Sequence, residues 1–361
     1  MTSKTNTTPR QRVLTALVHK EPDRVPLFYR DVPEVETRLL KQLNLKNREE
    51  LLEYFEIDFR WVEPLYIGPP LENAETGHRR NIWGVEYKYV PFSKTSGYWE
   101  VVSNPLAKCE DPNALDDYEW PRLNWFDFST LKDQVAAYED YAIMTAPNYS
   151  SPGILQCPVQ CLVGEEKSLM DMALNPEFFE ALVQRALEFQ IPFIDRMLAA
   201  AGNRIDFFRI GDDFGTQNGL LISPNMWRRH IQPALKAMAE VAKRHGAYVY
   251  QHSCGAVRNL IEYFIVTGVD VLDPVQVKAT GMVPAELKAE FGDRICFSGG
   301  VDEQELLPNG TTKEVRAGVF QLLDEMAPGG GFFIGPTHNF QDDIPTENIL
   351  AMYEAARQWS Y

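Results

Sequence analysis

Basic residues are in deficit: 35 Lys and Arg stand against 51 Asp and Glu, a formal net charge of -16 over 361 residues. That balance opposes binding to phosphate backbones and to anionic membrane surfaces, so neither nucleic acid nor membrane is an expected partner. Cysteine is scarce and odd in number. Cys109, Cys157, Cys161, Cys254 and Cys296 are too scattered for a disulfide framework and are read as reduced thiols. The Cys157-x3-Cys161 spacing fits no common zinc ribbon. No apolar run reaches eighteen residues, which excludes a spanning helix. The polar stretch Met1–Pro9 lacks the apolar core of a secretory signal, so a short floppy lead-in and a cytoplasmic location are expected. No repeat of 20 to 50 residues or low-complexity tract is present. No G-x-G-x-x-G follows the first strand, and neither Gly299-Gly300 nor Gly329–Gly331 has the Lys-Ser/Thr neighbours of a phosphate cradle.

What is present is an alternation of short β-rich runs and helical patterns, the signature of a parallel sheet built from strand-helix-strand units. Eight runs are expected as strands: Val25–Tyr29, Ile57–Val62, Ala142–Thr145, Phe207–Ile210, Tyr248–His252, Val269–Leu272, Ile295–Ser298 and Phe332–Ile334. Helices are expected over Pro176–Ala201, Pro224–His245, Val283–Phe291, Thr312–Met326 and Pro345–Trp359. Asn175, Ser223 and Thr346 stand at cap or first-turn positions. Eight units in one chain favour an α/β fold of the (β/α)8 TIM-barrel type over an open doubly wound sheet. One domain over 1–361 is expected. Residues 64–140 interrupt it after the second strand, and Asn81–Val90 with Gly97–Val102 read as an inserted β-hairpin covering one face.

In such a barrel the chemistry gathers at the carboxyl ends of the strands. His252 and Cys254 sit two apart where an apolar strand ends in polar groups, and His338 lies at an equivalent place after the last strand. Nitrogen and thiolate donors with an open fourth position suit zinc, so these three are the candidate metal ligands. A polar strand end with a hydrogen-bonded histidine is the plainer reading of the same residues. Glu165 or Glu166 could add an oxygen ligand. Asp212 and Asp213 follow the fourth strand and could orient a substrate or take a proton, and Asp58, inside the second run, is a candidate acid or anchor. Arg30, Asn148 and Gln276 are candidate substrate contacts, Arg30 through a bidentate grip on a carboxylate.

Arg10–Leu17 followed by Glu21–Pro26, then His252–Gly255, Gly299–Asp302 and His338–Asn348, together resemble the uroporphyrinogen decarboxylase superfamily along nearly the whole chain. The resemblance implies a (β/α)8 barrel. Within the superfamily the motifs are most similar to the zinc methyltransferases that work with corrinoid proteins, of the methylcobamide:coenzyme M methyltransferase type. Those proteins use a His-x-Cys pair, matched here by His252 and Cys254, and a distant Cys whose place is held by His338. The decarboxylase pattern is matched less well. Tyr29–Pro33 stands where decarboxylases carry Arg-Gln-Ala-Gly-Arg-Tyr, and Asp58 is only an approximate counterpart of their aspartate. The resemblance therefore implies transfer of a methyl group between a small methylated substrate or thiol acceptor and the cobalt of a separate corrinoid protein. No Asp-x-His-x-x-Gly segment is present to bind corrinoid within this chain. The alternative is a decarboxylase or lyase acting on a carboxylate without corrinoid, with Arg30 as anchor and Asp58, Asp213 or His338 as acid. A catalytically silent binding protein on the same barrel is the third reading. A homodimer is the default expectation for such an enzyme.

Overall fold

The computed structural model describes residues 7–73, 75–91 and 97–361. Six residues of the expected lead-in, and the 92–96 connection of the expected hairpin, lie outside them. Twelve strands occur among the described residues: β1 (Phe59–Val62), β2 (Leu65–Tyr66), β3 (Arg79–Arg80), β4 (Glu86–Pro91), β5 (Gly97–Ser103), β6 (Phe126–Asp127), β7 (Ala142–Thr145), β8 (Phe207–Gly211), β9 (Tyr248–His252), β10 (Val271–Asp273), β11 (Cys296–Val301) and β12 (Phe332–Pro336). Seven of them form one parallel sheet in the order β1-β7-β8-β9-β10-β11-β12.

The expected eighth strand, Val25–Tyr29, is not one. It makes a single parallel bridge, Leu27 to Ile334. Phe28 N–H donates to Ile334 O at 2.8 Å, Ile334 N–H to Pro26 O at 2.9 Å and Asp58 N–H to Leu27 O at 3.1 Å, so the segment spans the two ends of the sheet. Pro26 has no N–H to give, which keeps this run from extending a regular ladder.

Alternation along the strands separates two apolar layers. Phe28, Phe59, Met144, Phe207, Tyr250, Val271 and Phe333 pack together inside the curled sheet. Rings of Phe59, Phe207 and Phe333 meet at 5.4 to 6.0 Å. Their neighbours Phe208, Ile210, Val249, Leu272, Phe332 and Ile334 face the helices. The helices follow their sequence signals closely. Asn175 accepts from Phe178 N–H to cap Pro176–Ala200, and Ser223 accepts from Met226 N–H. The long helix expected over Pro224–His245 is two, Pro224–His230 and Gln232–Arg244, because Pro233 cannot continue the first. Thr346 is the first helical residue and not the cap, and its hydroxyl is buried without a partner.

Between β1 and β7, β3, β4 and β5 form an antiparallel sheet and β2 pairs with β6. Tyr89 faces Trp99 across the β4–β5 pair. None of the described helices is long and apolar enough to cross a membrane.

Asp58 does not sit with the chemistry. It precedes β1 at the amino-terminal end of the sheet, fully buried, accepting from Arg12 at 2.7 Å, Arg24 at 2.8 Å and Leu27 N–H at 2.7 Å. Asp206 and Asp270 do the same for Ile143 N–H and Val249 N–H at 3.0 and 2.6 Å. Three aspartates thus tie each strand start to its neighbour, at the face of such sheets that serves stability. Asp58→Ala leaves two guanidinium groups facing an empty buried site, and a loss of about 3–5 kcal/mol in urea unfolding is expected.

Candidate metal centre

Counting upward by two from the inner apolar layer, the inward positions turn polar together. Phe28 is followed by Arg30, Phe207 by Arg209, Tyr250 by His252 and Val271 by Asp273. Period-two geometry therefore delivers two arginines, a histidine and an aspartate to one mouth at the strand carboxyl ends. Arg30, Arg209 and His252 line a cavity of about 570 Å³ together with Asn148 and His338 among others, and Asp273 lies behind them.

His252, Cys254 and His338 converge there, their donor atoms all within 4.8 Å of one another. His252 Nε2 lies 3.5 Å from Cys254 Sγ. The loop holding Cys254 is fixed by Ser253 N–H to Asp273 O at 2.7 Å and by Gly255, whose φ of +85° and close approach to Gly215 exclude a side chain. On the other side Thr337 N–H donates to Val301 O at 2.9 Å, anchoring the loop that carries His338.

Asp273 sets the state of His252. Fully buried, it shares one carboxylate oxygen between Arg30 at 2.8 Å and His252 Nδ1 at 2.9 Å. Burial opposes its charge, but Arg30 and then His252 hold it far below the usual carboxylate range. A carboxylate there accepts a hydrogen bond from Nδ1–H and keeps the proton on that nitrogen, so Nε2 presents its lone pair toward Cys254. Burial, then the cationic Arg209, lowers His252, and burial, then Arg30, lowers His338 to about 4. Both rings are neutral near pH 7, the form that ligates metal. Burial, then Asp213, pushes the Cys254 thiol up.

These donors fit zinc. Zn–N and Zn–S bonds of roughly 2.0 and 2.3 Å place tetrahedral ligand atoms roughly 3.5 Å apart. The second imidazole nitrogen of His252 is already engaged by a carboxylate, as zinc-ligating histidines require.

The remaining expected residues divide. Asp213 joins the group: its Oδ1 accepts from Cys254 N–H at 2.8 Å and lies 3.5 Å from His252 Nε2, and its Oδ2 accepts from Gln156. Burial works against its charge, but His252 and the Cys254 N–H outweigh it and lower it. Asp212 points away and accepts from the backbone N–H groups of Ile154, Leu155 and Gln156. Burial lifts it to about 7 in spite of those three donors. It braces a turn. Arg30 donates to Asp273 and to the backbone oxygens of Pro336 and Thr337, at 3.3 and 2.8 Å, so it ties the end of the His252 strand to the loop that carries His338 while lining the cavity. Asn148 lines the cavity but donates to Glu63 and accepts from Ser150 N–H. Gln276 accepts from Gly255 N–H at 2.7 Å and steadies the Cys254 loop. Glu165 and Glu166 begin the helix Glu165–Leu174, exposed and outside the metal group. Cys157 and Cys161 face the antiparallel insertion, against Asn81 and Tyr87.

Three residues were not singled out from the sequence: Asp273 as the partner of His252, Arg209, and Glu303. Glu303 is lifted to about 7 by burial despite Arg30, and one of its oxygens is buried without a partner. The inward count of two past Phe207 and Val271 would have found the first two.

A family model for uroporphyrinogen decarboxylase (URO-D) matches residues 159–359, more than half of the chain. The chain belongs to the uroporphyrinogen decarboxylase family. The matched span includes His252, Cys254, Asp273 and His338. Uroporphyrinogen decarboxylases of two Coxiella burnetii strains are 22% identical to it over 270 residues, 72% of this chain and 70% of theirs. Among solved structures, a methyltransferase from Methanosarcina mazei superposes with a TM-score of 0.70, covering 98% of this chain and 99% of its own at 18% identity. At that identity the likeness is one of fold. Membership in the uroporphyrinogen decarboxylase family accounts for the parallel α/β sheet and leaves the reaction to be argued from the site.

Proposed function

We propose that this member of the uroporphyrinogen decarboxylase family is a zinc-dependent methyltransferase that moves a methyl group between a small molecule and the cobalt of a separate corrinoid protein. The observation that carries this reading is the His252–Cys254–His338 group, with Asp273 fixing the His252 tautomer. The sheet is read as a (β/α)8 barrel whose eighth position is held by 25–29, and 64–140 as a lid beside its mouth.

Zinc bound there would lower the pKa of a substrate thiol or polarise the atom that bears the methyl group. His252, Cys254 and His338 would hold it. Asp273 keeps the Nδ1 proton on His252, and Arg30 braces the loops that present His252 and His338. Asp213 holds the Cys254 backbone in place and sets a carboxylate beside the donors, where it can keep or pass a proton at Oδ1. Neutral imidazoles limit the positive charge of the site.

The decarboxylase alternative took Arg30 as substrate anchor and Asp58, Asp213 or His338 as acid. Arg30 already donates to Asp273 and two carbonyls, and Asp58 lies at the opposite end of the sheet. Asp213 and His338 stay at the site, and what favours methyl transfer is the convergence of two imidazoles and a thiol on one point, a donor set that decarboxylation does not call for. The test follows free methylcobalamin spectroscopically under anaerobic conditions with 2-mercaptoethanesulfonate or homocysteine, and cob(I)alamin with methylated donors in reverse. Zinc-dependent turnover that disappears in Cys254→Ser is expected. Zinc-loaded protein inert in both directions, or turnover indifferent to zinc, would overturn the reading.

A further inference from the structure

Four arginines line the main cavity: Arg30, Arg48, Arg60 and Arg209. Three have carboxylate partners, Arg30 with Asp273 at 2.8 Å, Arg48 with Asp31 at 2.9 Å and Arg60 with Glu49 at 2.7 Å. Arg209 has none within 4.0 Å among the described residues. Its guanidinium makes one side-chain hydrogen bond, Nη1 to Ser151 Oγ at 2.9 Å, and Ser151 Oγ in turn donates to Arg209 O. A guanidinium carries five donors in a planar fork, so most of that fork opens on the cavity. Asp273 and Asp213 act on it only from beyond contact distance, and a cation in a low-dielectric mouth with no carboxylate in direct contact is best satisfied when an anion completes it. The geometry of Arg209 suits a carboxylate gripped by two parallel N–H bonds.

Beside this mouth lies a second, apolar space of about 340 Å³. Asn148 lines both spaces, and Ser151, the residue Arg209 holds, lines the second. Its walls include Ile82, Trp83, Phe189 and Phe193, with Trp83 and Phe189 edge to face at 5.6 Å. Aromatic edges and faces at such spacing suit a planar apolar group. An anion on Arg209 is thus one step from a ring-sized alcove on one side and from the His252–Cys254–His338 group on the other.

We propose that Arg209 anchors the carboxylate of a small aromatic acid whose ring lies in the alcove under Trp83. This deepens the proposed function, on which it rests, by giving the small-molecule partner of the methyl transfer a chemical class. Arg209 is on this account a substrate-binding residue and Ser151 its positioning partner.

The test is calorimetric titration of the zinc-loaded and the metal-free protein with benzoate, with neutral benzamide and with acetate, in wild type, Arg209→Gln and Arg209→Lys. Benzoate is expected to bind both protein forms, benzamide and acetate about tenfold or more weaker, a difference of about 1.4 kcal/mol. Arg209→Gln is expected to lose about tenfold or more for benzoate alone, and Arg209→Lys to recover part of it. Absence of benzoate binding overturns the proposal, as does equal binding of benzamide or acetate, or an undiminished affinity in Arg209→Gln. If benzoate binding vanishes on zinc removal but survives in Arg209→Gln, the anion sits on the metal. That result overturns the Arg209 site while leaving the methyltransferase reading intact.

Discussion

Replacing Cys254 with serine is expected to cut zinc from about one ion per chain to less than about a tenth after dialysis, and to lower methyl transfer by about 10³-fold or more. That exceeds the 10–100-fold typical of losing a supporting contact, because a hydroxyl is a poor substitute for the thiolate that a borderline-soft ion selects. Elemental analysis of tag-free protein, with Cys161→Ser as the comparison, reads the effect. Cys161 faces Tyr87 in the insertion and is expected to leave zinc content unchanged. His338→Cys sharpens the result. It should retain zinc and make the metal more electron-rich, since it exchanges an imidazole for a second thiolate. Full zinc occupancy in Cys254→Ser would remove Cys254 from the ligand set and with it the proposed chemistry.

The convergence of His252, Cys254 and His338 was legible in the sequence because these residues are rare and interrupt apolar patterns. His252 and Cys254 end a strand whose bounds the pattern predicts without error, and His338 follows another. The supporting carboxylate was not legible, since Asp273 looks like any strand-end aspartate until strand pairing sets it opposite His252. The pairing of Arg30 was hidden for the same reason: sequence shows that an arginine reaches the mouth but not that Asp273 meets it there. Asp58 was misplaced by half a strand length. The repeated apolar-Asp-apolar pattern at Ile57–Phe59, Ile205–Phe207 and Val269–Val271 carries its meaning, and the repetition marks a strand-start tie. The eighth strand failed on a single residue, Pro26.

Asp273 separates the cost of holding a site together from the chemistry it serves. Asp273→Asn removes the charge that Arg30 and His252 share, leaving a buried guanidinium without its carboxylate partner. A loss of about 3–5 kcal/mol in urea unfolding is expected. Zinc affinity, measured against a chelator, is expected to fall about 10–100-fold, because the His252 tautomer is no longer fixed and the ring loses the carboxylate that makes it a better donor. The double variant Arg30→Met with Asp273→Asn distinguishes the two roles. Removing both charges relieves the buried imbalance, so stability should return to within about 1–2 kcal/mol of the parent. Zinc affinity should not return, since the asparagine amide, which can donate as readily as it accepts, restores neither the carboxylate charge nor a fixed His252 tautomer. If affinity recovers together with stability, Asp273 serves only to neutralise Arg30, and the orientation of His252 must come from the packing of its strand instead.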